Sequence, residues 1–100
     1  MAHSFDNIDF AVLSRIQEIS ERFGLKPYDL VATLVHSDHA RGMGVKFTAV
    51  PESREADRSL QAMLNAIGVD RDGVLQGGEI KVIDALDRAL AIAPKPRSRF

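Results

Sequence analysis

Asp70, Asp72 and Glu79 crowd into the stretch Gly68-Val69-Asp70-Arg71-Asp72-Gly73-Val74-Leu75-Gln76-Gly77-Gly78-Glu79. Carboxylates are hard oxygen donors, and a glycine among them permits the sharp turn with which a loop wraps a divalent cation such as calcium. A second group, His36, Asp38 and His39, places imidazoles and a carboxylate in one short segment. Such a set could ligate zinc or supply a general base.

The first group can be set against a known loop. In an EF-hand, ligands come from loop positions one, three, five, seven, nine and twelve, with glycine at six and an apolar residue at eight. Asp70, Asp72, Gly73, Leu75 and Glu79 fall on positions three, five, six, eight and twelve. On these residues the region from Ser53 to Ile92, including a helix on either side, resembles a single degenerate EF-hand, and the resemblance implies weak calcium binding over 68–79. Gly68 stands where the first carboxylate belongs, and Gly77-Gly78 stand where the exiting helix should already be wound. A plainer expectation explains the same residues without metal. Gly68 ends one helix, Asp70, Asp72 and Gly73 make a polar turn, and Gly77-Gly78 bend the chain into a helix with Glu79 at its positive end. That expectation is the one adopted, with no cofactor and no metal ligands assigned.

The histidine group has no fourth ligand nearby, no His-Glu-x-x-His spacing and no cysteine partner, so a polar loop explains it equally well. No Gly-x-Ser-x-Gly nucleophile turn accompanies it. No catalytic residues are assigned, and the chain is read as not an enzyme. Gly42-Met43-Gly44 lacks the third glycine of a phosphate-binding fingerprint and is read as hairpin-loop glycine. Residues 16–35 admit a helix-turn-helix reading, with Ser20 as the small residue, Gly24 in the turn and Ile19, Phe23, Leu25 and Leu30 as the apolar positions. Its second helix would carry Lys26, Tyr28, Asp29, Thr33 and His36 but no arginine to grip phosphates, which weighs against nucleic acid as a partner.

The elements that would position these groups follow from periodicity. Val12, Ile16, Ile19 and Phe23 recur at helical spacing, with Asp6 as cap and Gly24 as stop, which predicts a helix over 8–23. The run 28–36 fits strand or helix. Its β-branched Val31, Thr33 and Val35, followed by the polar link 37–44 and by Val45 to Val50, favour a hairpin of strands 30–35 and 45–50. Ser53 caps a helix through Ala56, Leu60, Met63, Leu64 and Ile67, and a last helix carries Val82, Ile83, Leu86, Ala89 and Leu90 before Pro94. The expected fold class is therefore α+β, a small single domain in the order α-β-β-α-α over 1–94, with 95–100 a basic, flexible tail.

A length of 100 residues with 45% hydrophobic content suits one core, and the absence of cysteine leaves stability to packing. Asp6, Asp9 and Arg15 hem in the apolar cluster from Ile8 to Leu13, so neither a leader nor a membrane span is expected, and the location expected is cytoplasmic. A formal net charge of −1 supplies no field for nucleic acid or lipid. The expected function is that of a small non-enzymatic binding or interaction domain, with an unknown protein or small ligand as partner. A two-stranded hairpin leaves two backbone edges, guarded only by Lys46, Pro51 and Asp29. One edge is therefore expected to recruit a further strand, most simply as a homodimer, with proline at Thr33 or Thr48 as the probe.

Overall fold

The computed structural model describes residues 4–36, 42–71 and 73–95, with the backbone alone at 4–8 and 36. Its elements are α1 (Ser4–Arg22), β1 (Leu30–His36), β2 (Met43–Ala49), α2 (Arg54–Ile67), β3 (Val74–Leu75) and α3 (Glu79–Ile92). The α+β order helix, antiparallel hairpin, two helices is the one the periodicity predicts. The stretch between α2 and α3 adds a short third strand.

Local chemistry explains most boundaries. After α1, Gly24 takes the left-handed conformation (φ 83°), and Leu25 N–H donates to the Ser20 carbonyl at 2.9 Å. One of the carbonyls orphaned at the helix end thereby gains a partner. Asp29 then folds the chain toward β1, since its Oδ2 accepts from Lys26 N–H at 2.9 Å and its own N–H donates to the Lys26 carbonyl. At α2, Ser53 Oγ accepts from Ala56 N–H at 3.0 Å, and Gly68 (φ 94°) returns its N–H to the Leu64 carbonyl at 2.8 Å. Two elements begin earlier than expected. The helix α1 begins at Ser4, so Asp6 lies inside it instead of capping it, and β2 begins at Met43, so Gly44 belongs to the strand and not to the hairpin loop.

The sheet has the order β1-β2-β3, antiparallel throughout, with Leu30 opposite Ala49, Thr33 opposite Lys46, Val35 opposite Gly44 and Val45 opposite Leu75. Alternation along the strands sorts their side chains. Met43, Val45 and Phe47 turn inward and are buried, while Lys46 and Thr48 face solvent. The helices cover the inner face, α3 lying against β2 and α1 against β1, with α1 packed most extensively on α3. Val12, Ile16 and Ile19 of α1, Leu60, Met63 and Leu64 of α2, and Val82 and Leu86 of α3 meet Phe47 in one core. A thickness of 21 Å in the shortest dimension fits one helix layer on one sheet.

Candidate functional site: the outer edge of β1

The two edges of the hairpin are treated differently. On the β2 side, Phe47 N–H donates to the Gly73 carbonyl at 3.2 Å, Gly78 N–H donates to the Met43 carbonyl at 3.1 Å, and β3 pairs with Val45 and Lys46 between them. The close approach depends on Gly44. A Cβ at that position would lie 2.9 Å from the Leu75 carbonyl oxygen, inside contact distance. The β2 edge is therefore covered by the stretch that carries the carboxylates.

On the β1 side, direction of the backbone groups decides what is open. Val50 N–H donates to the Asp29 carbonyl at 3.0 Å, and because N–H and C=O alternate in direction along a strand, Gly44, Lys46 and Thr48 also face β1. Their register partners Val35, Thr33 and Val31 face β2 in return. The N–H and C=O groups of Leu30, Ala32 and Leu34 therefore point outward, and no strand among the described residues pairs with them. Thr33 and Thr48 are consequently the wrong probes, since proline at either would break the hairpin's own ladder. Ala32, in the middle of β1, is one of the residues whose N–H faces outward, and proline there leaves the hairpin ladder intact.

The side chains of β1 leave this edge unguarded. Leu30 is buried, Ala32 and Leu34 are half-buried on the inner face, and Val31 and Val35 stand 52% and 42% exposed on the outer face around exposed Thr33. No lysine, acid or proline interrupts Leu30–His36. The residues expected to guard the hairpin lie elsewhere: Lys46 is on the central strand, Pro51 follows β2, and Asp29, only 3% exposed, turns its carboxylate into the preceding turn. Natural sheets blunt exposed edges with charge, proline or a covering strand, and among the described residues none of these lies along Leu30–His36.

Of the groups singled out for chemistry, only a part lies among the described residues, and that part has structural roles. Gly68 is the left-handed cap of α2, Gly73 N–H closes a turn on the Asp70 carbonyl at 2.9 Å, and Glu79 is exposed in the first turn of α3. Asp72 lies outside the described residues, and among those described no group of three or more His, Asp or Glu is placed to hold a metal ion. What the sequence does not signal is β3, because two residues are too few to show a period. Asp38 and His39 lie outside the described residues, as does the His36 side chain, and so does the tail from residue 96 onward. In the segment 16–35 no second helix follows Gly24, because Leu30–His36 is a strand, and the helix-turn-helix geometry is absent.

A concave surface lies where the C-terminal half of α1 meets the start of α2. Glu21, Glu52 and Glu55 share it with Lys26, Lys95 and exposed Tyr28, a mixed lining with no single charge preference. Among the described residues no helix is long and apolar enough to cross a membrane. Comparison of the chain with protein families, with curated proteins and with solved structures gives no match.

Proposed function

We propose that this chain is a non-enzymatic interaction domain that binds a protein partner by accepting an extended segment along β1. The carrying observation is the asymmetry of the hairpin: β3 covers the edge of β2, whereas Leu30, Ala32 and Leu34 present their backbone groups outward from an uncharged strand. In strand addition the main-chain hydrogen bonds give affinity, and the alternating side chains give specificity. Here the added strand would meet apolar side chains on both faces, Val31 and Val35 outside, Ala32 and Leu34 inside. A small ligand is the weaker alternative, since an edge supplies a line of donors and acceptors and not an enclosed cavity.

Selection from a displayed library of random peptides tests the reading. Recovered peptides should be extended, apolar at alternate positions, and should protect the Ala32 and Leu34 amides from hydrogen exchange. Their binding should disappear in Ala32→Pro, which removes an outward-facing donor without touching the β1–β2 ladder. Peptides that bind Ala32→Pro and the unaltered chain equally would place the working surface elsewhere.

A further inference from the structure

The pattern of β1 restricts what can lie beside it. Along Leu30–His36 the middle residue is Thr33, and the outer face reads Val31, Thr33, Val35, the same in either direction. An antiparallel copy of the strand, turned about a two-fold axis through Thr33, sets Val31 against Val35 of the other copy and Thr33 against Thr33. Apolar meets apolar, and a hydroxyl pair sits on the axis, both favourable cross-strand combinations.

The backbone agrees with the side chains. Thr33 directs its N–H and C=O to Lys46 inside the hairpin, so across the new boundary it occupies a non-hydrogen-bonded pair. Ala32 and Leu34, which point outward, then come opposite each other and exchange both hydrogen bonds, as do Leu30 and His36. A register two residues away in one direction would set Val35 against Asp29, replacing an apolar pair by a mismatched one. The register centred on Thr33 uses the whole strand and places no like charges opposite each other. On the inner face it also brings half-buried Leu34 against Ala32 of the other copy.

We infer that the occupant of the β1 edge is a second copy of this chain, paired antiparallel through β1 with Thr33 on the two-fold axis, so that the two sheets become one. This rests on the edge reading above and names its partner. An isologous contact of this kind closes on itself and leaves no free β1 edge. The covered β2 edge then limits further growth of the sheet.

The absence of cysteine makes a direct test available. In a non-hydrogen-bonded antiparallel pair the Cα atoms lie about 4.5 Å apart, within the range a disulfide spans. The full chain should be dimeric by light scattering over a concentration series. Thr33→Cys should oxidise to a covalent dimer, Val31→Cys alone should not, and an equimolar mixture of Val31→Cys with Val35→Cys should form the mixed cross-link. The double variant Val31→Lys/Val35→Lys, altered only at exposed positions, should keep its circular dichroism and weaken self-association by about tenfold or more, since lysines come to stand opposite lysines. A dimer that Ala32→Pro dissociates but Thr33→Cys does not trap would overturn the Thr33 axis and leave the edge reading standing. A strict monomer at every concentration would overturn self-pairing. In that case, edge-dependent peptide binding upholds the reading beneath it, and the lack of such binding sinks both.

Discussion

Gly44 and Leu75 touch so closely across the β2–β3 boundary that a Cβ on the glycine would lie 2.9 Å from the leucine carbonyl oxygen. Gly44→Ala is therefore expected to push β3 outward and to reopen the edge of β2. Overpacking of this kind costs about 1–3 kcal/mol, and the loss should appear in urea denaturation. The variant should also aggregate more readily than the parent chain, because the strand it uncovers is central and apolar on its inner face. Unchanged stability together with unchanged solubility would mean that β3 contributes little to the sheet.

Asp29 is the one buried charged residue identified in the described chain, and its carboxylate accepts from Lys26 N–H where α1 gives way to β1. Asp29→Ala leaves that donor without its partner and is expected to destabilise by about 1–3 kcal/mol. Asp29→Asn retains an acceptor oxygen at the same place and should recover most of the loss. Thermal denaturation of the two variants side by side separates the hydrogen bond from the charge.

Leu64 of α2 and Leu86 of α3 are both fully buried in the common core. Truncating either to alanine should cost about 2–5 kcal/mol, as buried leucine truncations do. Ile80, 81% exposed at the start of α3, provides the contrast, and Ile80→Ala should move the denaturation midpoint very little. Equal effects at all three positions would contradict the placement of the core.

Two exposed ion pairs tie distant elements together, Arg15 to Asp87 between α1 and α3 at 2.8 Å, and Arg71 to Asp57 between the α2–β3 link and α2. Exposed pairs contribute little after side-chain entropy and screening, so double-mutant cycles should return under about 1 kcal/mol for each. Raising the salt concentration should reduce even that coupling.

Millimolar calcium is expected to leave the melting temperature unchanged. Gly68 has no side chain to begin the coordination, and its backbone is engaged in capping α2 through Leu64. Calorimetry with and without calcium checks this, and a rise that Glu79→Gln abolishes would restore the metal-binding alternative for 68–79.

The elements legible in the sequence are those whose causes lie within a few residues of chain. Val12, Ile16 and Ile19 mark one helical face, Ser53 and Gly68 bracket another helix through bonds to their own near neighbours, and the β-branched run from Val31 to Val35 reads as a strand. The choice of strand over helix for 30–36, which periodicity leaves open, follows from β-branching and from the pairing partner that Val45 to Ala49 supplies. The same locality makes it legible that the stretch from Gly68 to Glu79 turns the chain between two helices.

Which edge of the hairpin β3 covers was decided only in three dimensions. Val74 and Leu75 carry no periodic signal, and they become a strand because α2 delivers the chain beside β2, where Gly44 leaves room for the Leu75 carbonyl. The roles of Lys46 and Asp29 change for the same reason, one becoming central in the sheet and the other folding into a turn. Strand order depends on contacts far apart in sequence, and a pattern confined to each segment carries no information about its neighbour. The composition of Leu30–His36 could therefore announce an uncharged strand, but only the packing of the rest of the chain leaves its outer edge without a strand partner among the described residues.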